Sequence, residues 1–284
     1  MTNAITTNPL MTKRYDTLLE KLDAKNESAF VPFFCLGNPT LDATMAMVDT
    51  AIDNGADALE LGFPFSDPVA DGPVLQTANI RGIKSGAYPD KCLEMIGEIR
   101  AKYPDVPIGL LLYCNITFAM GVDTFYARCA SVGVDSVLVA DIPVEECEEW
   151  HASALKHGVA PIFIAPPNAT GQKLTQLAHL GAGYTYVVAR SGVTGTDASG
   201  VMSGDAIVKQ LLQLNAPAPF IGFGISSPTD VKQALKSGAK GVIVGSKIAK
   251  IIDMYVNDET IDKDGMVDAI GTYVSEMKSA TKGR

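Results

Sequence analysis

Eight short, almost wholly apolar runs recur along this chain, and a segment with helical periodicity separates each from the next. The runs cover 30–37, 58–62, 107–113, 136–141, 161–165, 184–189, 220–224 and 241–245. A strand that is apolar on both faces must be covered on both faces. Strands alternating with helices meet that need as a parallel sheet. Glycines at 55, 133, 158, 181 and 238 each stand where a helix should stop before the next strand, and glycine there supplies a left-handed cap. Eight such units favour a closed (β/α)8, or TIM, barrel with an extra N-terminal helix over 13–25. The 284 residues suffice for it, since the fold takes about 250. An open doubly wound sheet is the alternative, but the first strand lacks a glycine-rich dinucleotide turn. Further helices are expected over 76–85, 90–102, 122–132, 171–180, 205–214 and 228–236, with an acidic one opened by Pro143. No linker divides the chain, so a single domain over 1–284 is expected, with 1–11 disordered.

Composition narrows the function. A net charge of −9 argues against nucleic acid and anionic membranes as partners. An anionic small molecule remains possible where backbone amides bind it. The five cysteines, Cys35, Cys92, Cys114, Cys129 and Cys147, are odd in number and never spaced C-x-x-C. Most lie in apolar segments, where a reduced thiol packs as a small hydrophobe, so a reducing, cytoplasmic setting is expected. The histidines, His151, His157 and His179, fall in helix-like segments, and no cluster suggests a metal site. Residues 1–11 lack a signal-like apolar region, and no apolar run is long enough to span a membrane.

The second strand and the loop after it carry the most chemistry. In 58–62, alternation sets Leu59 and Leu61 on one face, and Ala58, Glu60 and Gly62 on the other. Burial in an apolar strand should raise the pKa of Glu60 toward the range useful for general acid–base catalysis. The loop then runs through Pro64-Phe65-Ser66-Asp67-Pro68 to Asp71-Gly72-Pro73. Its prolines should make it ordered, with Phe65 as a rigid exposed anchor for a partner. The strand interiors hold no lysine or histidine to pair with Glu60. In a barrel the active site gathers at the C-terminal ends of the strands. There Glu60 and Asp71 are joined by Tyr186 inside the sixth strand and Arg190 at its end.

Glycine-rich stretches follow the last three strands: Gly192-Val193-Thr194-Gly195, Gly222-Phe223-Gly224-Ile225-Ser226 and Gly245-Ser246. Loops after the seventh and eighth strands commonly bind phosphate in this fold. Glycine lets backbone N–H groups approach an oxyanion. A phosphorylated ligand is therefore expected. The stretch 191–203 holds few large apolar side chains and reads as a mobile lid over the site.

These blocks, with Leu138-Val139-Ala140-Asp141-Ile142-Pro143, resemble the tryptophan synthase alpha chain family, in order and across nearly the whole chain. The resemblance implies reversible cleavage of indole-3-glycerol phosphate to indole and glyceraldehyde 3-phosphate. It implies Glu60 and Asp71 as catalytic carboxylates, and backbone phosphate contacts from Gly195, Gly224, Gly245 and Ser246. It supports a pairing of Thr194 with Asp71 when the lid closes. It also implies a beta-chain partner in an α2β2 heterotetramer, with pyridoxal phosphate in that partner and no cofactor in this chain. Phe63 is bulkier than the aliphatic residue expected before Pro64. Phe33, Leu111 and Phe223 are candidates for the apolar pocket around indole, and equally for plain barrel core. Other phosphosugar barrels would want a strand-end histidine, a metal cluster or strand lysines, which are missing from the sequence pattern. A stand-alone indole-releasing lyase and a catalytically silent binding subunit are the remaining readings.

Overall fold

A computed structural model describes residues 13–188, 204–257 and 260–283. Its strands are β1 (Ala29–Cys35), β2 (Leu59–Gly62), β3 (Ile108–Leu112), β4 (Ser136–Val139), β5 (Ala160–Ala165), β6 (Tyr184–Val188), β7 (Ala218–Gly222) and β8 (Gly241–Val244). Each pairs in parallel with its neighbour in sequence. β8 returns to β1, matching Ala29 to Gly241, and closes the barrel. The helices are α1 (Lys13–Ala24), α2 (Leu41–Asp53), α3 (Pro73–Lys84), α4 (Pro89–Lys102), α5 (Cys114–Met120), α6 (Val122–Ser131), α7 (Glu148–His157), α8 (Gly171–Leu180), α9 (Gly204–Gln213), α10 (Pro228–Leu235), α11 (Ser246–Met254) and α12 (Lys263–Ser279). This is the (β/α)8 barrel expected from the alternation, with its extra N-terminal helix.

Strand alternation builds two apolar regions. Phe34, Leu59, Leu61, Val187 and Ile221 face the helices, while Val31, Ala58, Leu138, Ile162, Tyr184, Phe220 and Ile243 fill the barrel. Helix α1 joins the interior group through Tyr15 and Leu22, with Leu18 and Leu19 packed beside them. The Tyr15 hydroxyl lies 2.8 Å from Ser136 Oγ, at the first residue of β4. Arg14 reaches Asp135 at 2.8 Å, and Arg100 reaches the same carboxylate at 2.6 Å. Helix α1 therefore plugs the end where the strands begin. The opposite end is left as the mouth.

Local differences from the sequence expectation have local causes. Helix α3 starts at Pro73 rather than near 76, because proline at the first helical position is already set to helical φ. The acidic helix does not begin at Pro143. A 3-10 turn over Val144–Glu146 comes first, and α7 starts at Glu148. Helix α5 has no counterpart in the expectation. Four of the five capping glycines have positive φ, at Gly55, Gly133, Gly158 and Gly238. Gly181 does not; its φ is −73°, and Gly183 makes the left-handed turn instead. A Cβ on Gly181 would lie 2.8 Å from the Leu177 carbonyl, so close approach explains that glycine. All five cysteines are free thiols. No described helix is long and apolar enough to cross a membrane. The stretch 1–11 lies outside the described residues.

Candidate active site

Glu60 points into the barrel from the middle of β2, level with Phe33 on β1 and Gly109 on β3. It is 1% exposed. Its Oε1 accepts a hydrogen bond from the Tyr184 hydroxyl at 2.7 Å. Burial pushes its pKa from 4.5 up to about 7, against the pull of that hydrogen bond toward the carboxylate. The Tyr184 ring stacks on Phe220 with centroids 4.8 Å apart and meets Tyr15 at 5.5 Å, which fixes where the hydroxyl points. Sequence reasoning set Tyr184 in the strand but not as the partner of Glu60. The signal was available: Tyr184 and Tyr186 share one face of an interior strand, and a buried phenol needs a polar partner.

Asp71 closes the loop from β2 to α3 and is half-buried. Asn79 on α3 donates from Nδ2 to its Oδ2 at 3.2 Å, and the Tyr113 hydroxyl also donates to the carboxylate. Burial raises the Asp71 pKa above the ordinary carboxylate value, and these two hydrogen bonds oppose the rise. The loop is tied down elsewhere as well. Ala70 N–H donates to Tyr113 Oη at 3.1 Å, and Gln76 donates from Nε2 to the Asp71 carbonyl at 3.0 Å. Phe65 is not the exposed anchor expected; it stacks on Tyr113 with centroids 5.3 Å apart. The exposed apolar group of this loop is Val69, at 82%. Phe63 turns to the helix layer, buried edge-on against Phe125, so its bulk does not enter the mouth.

Three of the candidate pocket residues, Phe33, Leu111 and Tyr186, are half-buried around the mouth. The ring of Phe33 lies over two glycines. A Cβ on Gly62 would stand 2.6 Å from its Cζ, and one on Gly245 3.1 Å from its Cδ1. Tyr186 needs a glycine in the same way, since a Cβ on Gly222 would stand 2.1 Å from its hydroxyl. Phe223 differs. It is 65% exposed and holds a φ of 73°, which is uncommon for a bulky residue. It belongs to the rim and not to the core.

The two described phosphate-loop candidates are unequal. After β7, Gly224 takes a φ of 82°, and α10 then begins with a reciprocal capping box between Ser227 and Asp230. The Asp230 carboxylate accepts from the Ser226 and Ser227 N–H groups at 3.0 and 2.9 Å. The Ser226, Ser227 and Asp230 amides at the start of α10 are therefore already engaged. After β8, Gly245 is the N-cap of α11 and makes no side-chain cap, and exposed Ser246 is the first helical residue. A helix start without its own acceptor is a ready anion site. Thr194, Gly195, Arg190 and the lid 191–203 lie outside the described residues. Among the described residues, no group of three His, Cys, Asp or Glu side chains is placed to hold a metal ion.

A family model described as tryptophan synthase alpha chain matches residues 19–282. The chain belongs to that family. It is 50% identical over 269 residues to the tryptophan synthase alpha chain of Photobacterium profundum, covering 95% of this chain and 98% of that one. Identity to the Vibrio parahaemolyticus alpha chain is also 50%, with 95% and 99% covered. Among solved structures, the tryptophan synthase alpha subunit of Legionella pneumophila superposes with a TM-score of 0.84 at 28% identity, over 94% of this chain and 98% of that one. A chain in the tryptophan synthase complex of Pyrococcus furiosus gives 0.78 at 27% identity, over 89% and 98%. The activity is accordingly the lyase step of tryptophan biosynthesis that cleaves indole-3-glycerol phosphate.

Proposed function

We propose that Glu60 and Asp71 carry the cleavage between them. Glu60 delivers a proton to C3 of the indole ring, and Asp71 stabilises the indole N–H as positive charge builds on it. The resulting carboxylate of Glu60 then takes the proton of the side-chain hydroxyl. The C–C bond breaks, its electron pair returns to the ring, and the hydroxyl carbon leaves as the aldehyde of glyceraldehyde 3-phosphate. One proton has moved from hydroxyl to C3, and no Schiff-base lysine is needed. The observation that carries this reading is the buried Glu60, poised near neutrality by desolvation with a phenol as its partner. A group half-protonated near pH 7 serves both as acid and as base.

Around the carboxylates, Phe33, Leu111, Tyr186 and Phe223 form the wall for the indole. Backbone amides at Gly195, Gly224, Gly245 and Ser246 hold the phosphate, and Thr194 meets Asp71 when the 191–203 lid closes. The chain works as one domain, in the cytoplasm, without a cofactor of its own. Its partner is a tryptophan synthase beta chain bearing pyridoxal phosphate, in an α2β2 assembly. The docking face is the loop after β2 together with α5, neighbours at the rim. Val69 and Phe118 there are exposed at 82% and 69%.

The test is indole release from indole-3-glycerol phosphate by the purified chain, with and without added beta chain. Glu60→Gln and Asp71→Asn should each lose turnover by about 10²–10⁴-fold, with the Michaelis constant nearly preserved. Normal turnover in either variant removes that residue from the mechanism. Stimulation by the beta chain separates a subunit from a stand-alone lyase.

A further inference from the structure

Loop 63–72 carries Asp71 at its far end, and a loop of this length does not by itself hold a carboxylate in register. Asn79, in the middle of α3, is 6% exposed and makes three hydrogen bonds. Its Oδ1 accepts from the Phe65 N–H at 2.9 Å, at the start of the loop. Its Nδ2 donates to Asp71 Oδ2 at 3.2 Å, at the end of the loop, and to the Leu75 carbonyl at 2.8 Å, one helical turn back. The orientation of the amide is determined by these partners. Turning it over would set its oxygen against a carboxylate and a carbonyl, and its NH2 against an N–H. Asparagine is a poor choice for a helix interior because it competes for backbone groups. Local rules are broken in this way where a site requires it.

We infer that Asn79 is a positioning residue for the reaction: by clamping Phe65 N–H and the Asp71 carboxylate from one rigid helix, it sets the distance of Asp71 from the barrel mouth. This rests on the proposed role of Asp71. The Tyr113 hydroxyl, from the end of β3, also hydrogen-bonds that carboxylate, whose charge adds to burial in raising the pKa values of Tyr186 on β6 and of the Cys35 thiol on β1. Tyr113 also touches both ends, through its ring on Phe65 and its hydroxyl on Asp71, but it is Asn79 that hydrogen-bonds both the Phe65 N–H and the carboxylate.

Asn79→Asp separates the two ends of the clamp. It keeps an acceptor for Phe65 N–H, loses the donor to Asp71 and sets a second carboxylate beside it, whereas Asn79→Ala loses the donor without adding charge. Indole release from indole-3-glycerol phosphate is measured from pH 5 to pH 9 for the wild type, Asn79→Asp, Asn79→Ala and Asp71→Asn. In Asn79→Asp, kcat should fall about tenfold or more, as for a lost charge-assisted hydrogen bond, with KM changed much less. Asp71 must be ionised, so activity falls as pH drops through its pKa. Removing a donor that favours the anion raises that pKa, so the acid limb should move up by about one pH unit in Asn79→Ala, and further in Asn79→Asp, where the added carboxylate repels the anion. A kcat within twofold of wild type with an unmoved acid limb in Asn79→Ala overturns the inference. So does failure of both Asn79 variants to fold by thermal unfolding, which makes the residue structural only. Full activity in Asp71→Asn overturns the reading of Asp71 itself and is a separate outcome.

Discussion

Proton inventory inside the barrel depends on one hydroxyl. Tyr184 donates to Glu60 at 2.7 Å and favours its carboxylate, while burial favours the neutral acid and prevails. If the protonated form begins the reaction, turnover declines as pH rises through about 7. Tyr184→Phe removes the group that stabilises the anion. The pKa of Glu60 then rises and the alkaline limb of kcat moves to higher pH, by about one unit. Leaving the carboxyl short of a partner should also cost about 1–3 kcal/mol of stability. Paired pH–rate profiles and urea unfolding check both effects, and an alkaline limb that stays in place or moves down refutes the assignment. Glu60 itself was legible in the sequence, because an isolated carboxylate in an apolar strand is anomalous wherever the strand lies. Its partner was not, since Tyr184 lies 124 residues away and only barrel closure brings the two together. Asn79 went unnoticed for a related reason: an asparagine within a helical pattern reads as a surface residue until the loop folds over it.

Among the elements, α10 and α11 show how the same sequence cue can lead to different chemistry. Both follow glycine-rich strand ends, and both looked like phosphate loops. Asp230 occupies the start of α10, and the start of α11 has no side-chain acceptor. Ser246→Asp would place a carboxylate in the first turn of α11. That suits the helix dipole, worth about 0.3–1 kcal/mol, and so should not destabilise the fold. It should repel a phosphate bound there. The expected result is a KM for indole-3-glycerol phosphate raised about tenfold or more, the scale of losing about 1.4 kcal/mol of binding. The KM for indole in the reverse reaction should change little. Equal effects on the two would place the phosphate elsewhere. Other elements were read from sequence with uneven success. Helix α8 falls on the expected 171–180 because Thr170 caps its start and a single face of leucines runs through it. Helix α5 was missed because Cys-Asn-Ile-Thr-Phe is too short and too poor in helix formers to show a period. Tertiary contacts hold it, including a bond of 2.7 Å from Trp150 Nε1 to Thr117. The break before α7 depends on geometry around Cys147 that a run of glutamates conceals.

For the whole molecule, the barrel needs a floor as much as a mouth. Glycine at 109 and 241 and alanine at 29 and 58 leave the interior narrow but incompletely filled from the strands alone. Tyr15 of α1 completes it, reaching far enough that a Cβ on Gly109 would lie 3.1 Å from its hydroxyl. Gly109 is the β3 partner of Glu60, so the plug ends directly beside the proposed acid. What fastens the plug is Asp135. Its carboxylate takes Arg14 from α1 at 2.8 Å, Arg100 from α4 at 2.6 Å and the Ile108 N–H of β3 at 2.8 Å. Arg100 is further held by the carbonyls of Tyr103, Val106 and Gly133. Removing one member of a buried charged network costs far more than removing a surface pair, because the remaining charges keep their desolvation penalty. Asp135→Ala should therefore destabilise the chain by about 3–5 kcal/mol. Arg14→Ala, at a side chain 38% exposed, should cost nearer 1 kcal/mol. If the plug supports the reaction centre, Asp135→Ala should also lower kcat at a temperature where the variant is still folded. Urea unfolding with parallel turnover measurements decides the matter. Equal stability losses for Asp135→Ala and Arg14→Ala would reduce the cluster to an ordinary surface pair. A full kcat in folded Asp135→Ala would show that the floor beneath Glu60 stands without its fastening.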